Sequence, residues 1–597
     1  MREFRLPDPF KTATEALWRQ EVDKVLKGAD FEKRLVKSTL DGIKIPPLFP
    51  ANLTKASGIE SRLIDLPSDL ERPWQVLTSV ATGLPNQANA LILDDLAHGA
   101  AGVEMKLDAN GILGVAVASK SDFDMLLAGV VTDLAPIHLD AGFDGPVAAD
   151  WLGEFAKRAP NAPLAFNLDP LSPFAHVGSS PKPIHEHISD AAKTARKWAE
   201  PYAKAQLFLA SGRSVHEAGG SEGQEIGFAL AAALCYAKSL VAEGMSLDLA
   251  FQRISIGLSA DQSPFLTIAK LRAARRLWDR ITRACGAQSE AILDVRSSRR
   301  MLSTLDPWVN LLRLTMAGFG AALGGANSIL LEPFTALTDQ TDPMARRQAR
   351  NIQFVLIEEA HLGKVFDPAA GSGFLDTLTD DLVKAGYATL QALEAEGGVV
   401  AALVAGHFQK RVLAVQAKRD EDARSRTRGM VGVSHYPSSV DTLPVTPPMT
   451  RSTEVREEWG LALQYWRPAQ AFEHLRHQVA ALPKVPKVAL VTLGDAKSSA
   501  ARRDYVQQAL SVCGLTPIDL EFSLLDQEID LVVLCGSDED YRSLGAEAVR
   551  RAKSMGVRLV LIAGHPTEDL VQAGADEFLH LGCNFIDLGS RILERLA

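Results

Sequence analysis

Strand-like and helical segments alternate along the chain between about residues 70 and 365. Each predicted strand is a short apolar run followed by an amphipathic or alanine-rich segment of helical length, such as Glu225–Ala242 or Pro264–Thr282. Strand–helix units in such a series favour an α/β fold with a closed parallel (β/α)8 barrel of the TIM type. The predicted barrel strands are Gln75–Val80, Gly102–Lys106, Ile137–Asp140, Leu164–Asn167, Leu207–Ala210, Arg253–Leu258, Ala291–Asp294 and Ser328–Glu332.

A second alternation of strands and helices closes the sequence, from residue 484 to 597. It predicts a flavodoxin-like doubly wound sheet, in which ligands bind beyond the carboxyl ends of the strands. A chain of 597 residues is also too long for one hydrophobic core. The strands predicted here are Val488–Leu493, Pro517–Glu521, Asp530–Leu534, Arg558–Ile562 and Glu577–Leu579.

The remaining sequence divides into an arm and a linker. Residues 1–66 hold one predicted helix and too few apolar residues for a core, so we expect an arm laid over another surface, as a subunit contact. The barrel is assigned to residues 67–411 and the linker, with one helix, to residues 412–483. Proline and serine are frequent between Lys418 and Arg456, which is typical of a segment that crosses between domains.

Composition excludes several classes of protein. The net charge of −10 argues against a nucleic-acid partner, which would call for a basic face. The five cysteines lack any Cys-x-x-Cys spacing, so we expect buried thiols and no metal site. Glycines interrupt the longest uncharged run, Leu314–Leu331, so we expect no membrane span. The first ten residues lack an apolar signal segment, which favours a cytoplasmic location.

Polar residues follow several of the barrel strands, where the active sites of this fold lie. They predict a water-filled mouth, and the adjacent pair His216 and Glu217 near it could act in acid–base chemistry. Because neighbouring side chains diverge and no further partner is evident, we do not expect catalysis from that pair. The other polar residues of the predicted mouth are Lys106, Asp140, Asp169, Asp261 and Glu332.

Seven short motifs occur in an order that resembles the methylmalonyl-CoA mutase family over nearly the whole chain. Each motif is weak by itself, and their common order carries the resemblance. The motifs are Lys27–Phe31, Asp41–Ile43, Arg72–Trp74, Ser211–Gly219, Ile268–Arg275, Asp367–Ser372 and Ala469–Arg476. The resemblance implies an isomerase that interconverts methylmalonyl-CoA and succinyl-CoA by a radical rearrangement and uses adenosylcobalamin.

The family's catalytic residues are replaced in the barrel. A tyrosine that helps to part the carbon–cobalt bond corresponds to Ser79. The histidine that donates to the thioester carbonyl corresponds to Ser214, and the tyrosine before it to Arg213. The family's Gln-Thr-Ser-Gly run is Arg296–Arg299 here. These positions are vestigial, and the resemblance implies no catalytic residue on this chain.

The family's cobalamin loop, Asp-x-His-x-x-Gly, is degenerate as well. Asp495 remains, but Lys497 replaces the cobalt-binding histidine and Ala500 the glycine. A protonated lysine has no lone pair to give a metal. The stretch that accommodates the nucleotide tail reads Gly536–Tyr541, with Ser537 retained, and a later Gly-Gly survives only as Ala563-Gly564. We therefore expect no cofactor and no metal on this chain.

Some mutases of the family pair a large catalytic chain with a degenerate small chain of the same fold. The losses resemble those of the small (β) subunit, which implies that the large subunit binds both adenosylcobalamin and acyl-CoA. Two alternatives remain: a self-sufficient acyl-CoA mutase with altered cobalamin binding, and a noncatalytic protein that binds or senses acyl-CoA. Cobalamin absorbance of the purified chain would identify the first, and tight acyl-CoA binding the second.

Overall fold

A computed structural model describes residues 14–50, 69, 71–111, 114–365, 367–438, 458–526 and 528–596. Parallel strands β1 to β8 form a closed barrel in which each strand pairs with the next along the chain and β8 pairs with β1. The predicted barrel is thus confirmed, with strand ends shifted by a few residues. The strands are β1 Gln75–Val80, β2 Gly102–Asp108, β3 Ile137–Asp140, β4 Leu164–Leu168, β5 Gln206–Ser211, β6 Ile254–Ala260, β7 Leu293–Ser297 and β8 Ser328–Leu330.

Helices surround the barrel and continue beyond it. Short two-residue strands also occur at Lys37–Ser38, Lys44–Ile45, Val115–Ala116, Ser179–Ser180 and Glu458–Trp459. The α-helices before residue 484 are Glu15–Leu26, Phe31–Leu35, Pro85–Ala97, Lys120–Leu126, Gly145–Phe155, Leu171–Val177, Ile184–Ala199, Arg213–Glu217, Glu222–Ala242, Leu247–Gln252, Pro264–Ala284, Pro307–Leu323, Pro343–Phe354, Gly373–Ala395, Val399–Val404, His407–Arg424 and Gln470–Ala480.

Successive side chains of each barrel strand point alternately toward the surrounding helices and toward the barrel interior. In β2, Val103 and Met105 are fully buried in the hydrophobic core beneath the helices. Glu104 and Lys106, at the intervening positions, face the barrel interior. The same alternation brings charged side chains from several strands to the barrel axis.

The helix Glu222–Ala242 is long and apolar enough to cross a membrane by length and composition. It is instead a core helix of the barrel, because 67% of its apolar window is buried inside the protein. It packs against Gly373–Ala395 so closely that a Cβ at Gly227 would overlap Thr389.

The C-terminal domain contains a parallel sheet in the order β10-β9-β11-β12-β13. This order and the helices between the strands agree with the predicted doubly wound fold. The strands are β9 Val488–Thr492, β10 Ile518–Asp519, β11 Leu531–Cys535, β12 Leu559–Ile562 and β13 Glu577–Phe578. The helices are Ala496–Val512, Asp538–Asp540, Ala546–Ser554, Glu568–Gln572 and Phe585–Leu596.

The described part of the arm, residues 14–50, consists of an exposed helix and a later segment that contacts the barrel. The helix Glu15–Leu26 buries none of its residues. Farther along, the ring of Phe49 lies 5.2 Å from that of Phe374, and Asp41 accepts hydrogen bonds from Ser221 and Gly223. The second part of the arm therefore packs on this chain's own barrel, because its few apolar and acidic side chains find partners there.

The predicted boundary between barrel and linker falls inside a helix, since His407–Arg424 continues beyond residue 411. Residues 460–467 form a strap that runs over the barrel beside Gly178 and Glu217, through the backbone hydrogen bonds Gly460 N to Gly178 O and Trp466 N to Glu217 O. Much of the predicted proline-rich crossing, residues 439–457, lies outside the described residues, as do residues 51–66 of the arm.

Candidate functional site

A cavity of about 50 Å³ lies at the carboxyl ends of the barrel strands. This is the end of a TIM-type barrel at which active sites lie. Tyr465 of the strap forms part of its wall, and its ring stacks on His176 with 3.8 Å between centroids. The other lining residues are Ser79, Ala81, Glu104, Lys106, Arg213, Glu217, Ser259, Arg296, Arg299 and Glu332.

Below this cavity, an ionic cluster fills the barrel axis. Arg296 forms ion pairs with Glu104 and, at 3.3 Å, with Asp140. Arg213 pairs with Asp294 and lies 3.7 Å from Glu104. Glu104, Arg213 and Asp294 are buried, whereas the side chains of Arg296 and Asp140 are 22% and 36% exposed, so the cluster is an ionic plug that is buried at one end and partly open to solvent at the other. We refer to these five residues as the plug.

The pKa values of the plug residues reflect both burial and pairing. Burial raises the pKa of Glu104, although Arg296 and Arg213 oppose the change. Burial would also raise the pKa of Asp294, but Arg213 and His138 outweigh it and hold that pKa below its usual range. Removal of one partner would leave an uncompensated charge in a low-dielectric interior, which is a costly arrangement.

A second set of contacts holds the rim of the cavity. Arg299 pairs with Glu332 at 3.3 Å. Glu217 accepts hydrogen bonds from the backbone N–H groups of Arg299 and Arg300, at 3.0 and 2.9 Å. Burial raises the pKa of Glu217, while these partners favour its charged form. The Glu217 carboxylate is therefore committed to the turn that follows β7.

His216 takes part in a buried relay that sequence reasoning missed. Its Nδ1 lies 3.1 Å from Glu225 Oε2 and its Nε2 lies 2.8 Å from Ser298 Oγ, while Lys270 Nζ donates to the same Glu225 oxygen at 2.6 Å. The spacing resembles a serine–histidine–glutamate triad. Because Ser298, His216 and Glu225 are at most 1% exposed, no substrate reaches the hydroxyl, and the relay ties structural elements together.

Burial lowers the pKa of His216 well below its ordinary value, so the ring is neutral. The sequence predicts no partner constellation for His216 and Glu217, but the structure gives each residue one. Ser298 lies 82 residues from His216 along the chain, a distance at which no local pattern signals the contact.

Two further polar residues of the predicted mouth are bound to neighbours. Asp169 accepts hydrogen bonds from Ser172 Oγ and Tyr236 Oη, both at 2.5 Å, and burial raises its pKa to about 6. Asp261 lies 3.3 Å from Arg300 and accepts from the backbone of Ser263 at 2.8 Å. Neither carboxylate lines the cavity.

The three barrel positions singled out by the family resemblance, Ser79, Arg213 and Ser214, do not all face the same space. Ser79 and Arg213 both line the cavity, so the structure brings these two together. Ser214 is buried outside the lining, and its Oγ has no hydrogen-bond partner among the described residues. Of the three side chains, Arg213 is held by Asp294, and the hydroxyl of Ser79, like that of Ser214, has no hydrogen-bond partner among the described residues.

The loop Gly494–Ala500, which the sequence predicts to be a degenerate cobalamin loop, begins a helix in the structure. Asp495 caps the helix Ala496–Val512 by accepting a hydrogen bond from the backbone of Ser498 at 3.2 Å. Lys497 and Ala500 are exposed on the first turns of that helix. Gly494 has a positive φ of 68°, and a Cβ there would overlap the carboxylate of Asp540.

Tyr541 occupies the space between the ends of β11 and β12. Its hydroxyl accepts from the backbone of Gly536 at 3.0 Å and lies 2.9 Å from the carbonyl oxygen of Ala563, to which it can donate. Its ring would lie 3.3 Å from a Cβ at Gly564, and the guanidinium of Arg502 lies 5.3 Å from the ring centre. Burial raises the pKa of Tyr541 to about 12.

Ser537 begins the turn Asp538–Asp540, where its Oγ accepts from the backbone of Asp540. Asp538 pairs with Arg502. The predicted small-residue stretch is thus an ordered turn held by its own side chains. Within the described ranges, no group of three or more histidine, cysteine, aspartate and glutamate residues is arranged to hold a metal ion.

Comparison with known proteins identifies relatives over most of the chain. Residues 67–512 match the family model described as methylmalonyl-CoA mutase. The chain is 32% identical to the "Probable methylmalonyl-CoA mutase small subunit" of Mycobacterium tuberculosis (strain ATCC 25618 / H37Rv), with 88% of this chain and 86% of the relative covered.

Two further relatives extend over nearly the full length. The "Methylmalonyl-CoA mutase small subunit" of Streptomyces virginiae is 31% identical, with 98% of this chain and 97% of the relative covered. The protein of that name from Propionibacterium freudenreichii subsp. shermanii is 28% identical, with 99% and 96% covered.

Proposed function

This chain belongs to the methylmalonyl-CoA mutase family of isomerases, and we propose that it is the noncatalytic small subunit of a heterodimeric mutase. In this proposal a large subunit carries out the radical interconversion of methylmalonyl-CoA and succinyl-CoA. That subunit also binds the acyl-CoA substrate and adenosylcobalamin. The present chain supports it as a folded partner in the cytoplasm.

The observation that carries the proposal is the plug of Glu104, Asp140, Arg213, Asp294 and Arg296 in the barrel axis. A substrate that entered along the axis would have to displace this plug and leave buried charges without partners. Breaking one buried ion pair typically costs about 3–5 kcal/mol. Such a barrel is suited to a structural role and poorly suited to substrate entry.

The C-terminal loop supports the cofactor part of the proposal, because its residues do not fit adenosylcobalamin. Lys497 cannot give a lone pair to cobalt while it is protonated. The carboxylate that could orient a ligand, Asp495, is used as a helix cap. Tyr541 and Asp540 occupy the space beside Gly564 and Gly494, where a bound group would need room.

The exposed helix Glu15–Leu26 supports a partner contact. It buries none of its own residues, and Leu17 and Val25 are 52% and 80% exposed. Obligate subunit interfaces bury apolar side chains of this kind. We propose that this helix contacts the large subunit, while the later part of the arm remains on this chain's barrel.

Cofactor binding and assembly test the proposed role together. The purified chain is incubated with adenosylcobalamin at micromolar concentration and passed over a gel-filtration column, alone and after mixing with the large subunit. We expect no cobalamin absorbance on the isolated chain and a stable 1:1 complex in the mixture. Cobalamin that co-elutes with the isolated chain would refute the noncatalytic assignment, and failure to form a complex would refute the subunit assignment.

The arm helix is tested by the double variant Leu17→Ser/Val25→Ser. Both side chains are exposed, so the isolated chain should remain folded while its affinity for the large subunit falls at least tenfold. Leu581→Ser, at a site 80% exposed in the C-terminal domain, is the matched control and should leave that affinity unchanged. Undiminished binding of the double variant at nanomolar dilution would place the interface elsewhere.

A further inference from the structure

The mouth cavity retains hydrogen-bond donors that nothing in the described structure uses. Lys106 Nζ makes no hydrogen bond and no ion pair with any described residue, although it lines the cavity and is partly buried. The hydroxyls of Ser79, Ser259 and Tyr465 line the same cavity, and none of them has a hydrogen-bond partner within the described ranges. Four donor side chains from four different elements therefore surround one space.

The carboxylate acceptors in the cavity lining already have other hydrogen-bond or ion-pair partners. Glu104 pairs with Arg296, and Glu332 pairs with Arg299. Glu217 accepts from two backbone N–H groups, as described above. An ammonium group can only donate, so Lys106 needs an acceptor that these carboxylates do not supply.

The arginines of the lining are committed as well. Arg213 is held by Asp294, Arg296 by Glu104 and Asp140, and Arg299 by Glu332. Burial lowers the pKa of Lys106, and Arg299 and Arg296 lower it further, while Asp140 and Glu332 act through space to favour the charged form. Neither carboxylate lies within ion-pair distance of Nζ. Lys106 is thus the one cation of the described lining without an ion pair.

These contacts identify the chemistry of a ligand. We propose that the mouth cavity is a binding site for a small monocarboxylate, whose oxygens accept hydrogen bonds from Lys106 and from the hydroxyls of Ser79 and Tyr465. A carboxylate provides two acceptor oxygens, and charge-assisted hydrogen bonds to lysine are among the stronger ones in proteins. This site goes beyond the proposed subunit role, and neither depends on the other.

The size and charge of the surroundings restrict that ligand. The plug closes the barrel axis beneath Lys106, so the site admits a compact molecule and excludes a long acyl-CoA chain. Glu104, Asp140 and Glu332 also place negative charge near the site. Like charges at close range are unfavourable, which selects a singly charged carboxylate over phosphate, which carries more charge.

The strap forms one side of the entrance to this cavity. Tyr465 is 48% exposed and rests on His176, so its hydroxyl can contact a ligand while its ring closes one side of the cavity. A substitution that removes the hydroxyl of Tyr465 and keeps its ring distinguishes the contribution of the hydrogen bond from that of ring packing.

The test uses the full-length chain at neutral pH with acetate as the probe. Acetate binding is measured by saturation-transfer nuclear magnetic resonance, and sodium chloride at equal ionic strength is the reference. We expect saturable binding with a dissociation constant on the order of 1 mM, as for a ligand of very few atoms. Lys106→Met should abolish the signal. Lys497→Met removes an exposed lysine of the other domain and should leave it unchanged.

Tyr465→Phe provides a variant that keeps the stack on His176 and the fold. It should weaken acetate binding about three- to tenfold, the usual effect of one hydrogen bond. Phosphate is measured in parallel and should bind more weakly than acetate. The site is refuted if acetate does not bind, if Lys106→Met and Tyr465→Phe both leave binding unchanged, or if phosphate binds and acetate does not.

Discussion

Arg213 Nη2 donates to the main-chain oxygen of Asp294 at 2.9 Å, and the same guanidinium pairs with the Asp294 carboxylate. These contacts join the helix after β5 to β7 inside the barrel. Arg213 thus serves as a buried strut between these two elements. Its neighbour Ser214 has a hydroxyl with no partner in the described structure.

This contrast predicts unequal effects on stability. Arg213→Met should lower the free energy of unfolding of the barrel by about 3–5 kcal/mol, because Asp294 and Glu104 lose their buried partner. Ser214→Ala should change it by at most about 1 kcal/mol, since the hydroxyl makes no hydrogen bond to lose. Urea unfolding followed by tryptophan fluorescence measures the barrel, because all eight tryptophans precede residue 484. Equal effects of the two variants would contradict the strut.

The fold follows from the sequence because each barrel strand is a local apolar run, as in Gln75–Val80. The plug was harder to foresee. A charged residue, Glu104, interrupts the apolar run of β2, and the sequence alone shows this. Its partner Arg296 is 192 residues away along the chain, so no local pattern indicates the ion pair. Tyr465 reaches the cavity from the strap, which lies within the predicted linker, and no local pattern connects it with Ser79. The predicted small-residue loop at Ser537 was visible in the sequence, whereas its closure by Tyr541 depends on the fold.

We predict that the attachment of the arm to the barrel depends on pH through the carboxyl group of Asp41. Burial, followed by the nearby charge of Glu222, raises its pKa from 3.8 to about 6, while Ser221, Gly223 and Arg419 oppose the change. The folded state therefore binds a proton more tightly than the unfolded state. This group's contribution to stability is fully present below about pH 4 and is lost as the pH rises through about 6.

We expect Asp41→Asn to remove that dependence, which amounts to about 1–3 kcal/mol over this interval. The measurement is the difference in the free energy of unfolding between Asp41→Asn and the unmodified chain, from pH 4 to pH 7.5. The variant should gain relative stability as the pH rises. A difference that stays constant across the interval would show that Asp41 does not titrate there.

Asp495 should behave as a helix cap. Asp495→Ala removes the acceptor for Ser498 and should destabilise the helix Ala496–Val512 by about 1 kcal/mol. Lys497→Ala, two positions away and exposed, should change stability by less than about 0.5 kcal/mol. Hydrogen exchange of the helix amides measures both, and equal protection in the two variants would argue against the cap.

Restoring the lost ligand should not restore the cofactor. Lys497→His provides an imidazole, but Tyr541 and Asp540 still occupy the space beside Gly564 and Gly494. We expect no cobalamin absorbance on this variant after gel filtration at micromolar concentration. Retention of cobalamin by the single variant would show that the space is open and that only the histidine was missing.

The most direct measurement is methylmalonyl-CoA isomerisation by the assembled heterodimer at saturating adenosylcobalamin, with Ser79→Ala or Ser214→Ala in this chain. Loss of a group that acts in the transition state typically costs 10²–10³-fold in rate. If the large subunit carries the chemistry, each variant should change the rate less than about threefold, which is about 0.65 kcal/mol of barrier. A hundredfold loss with the heterodimer still intact would mean that this barrel is catalytic.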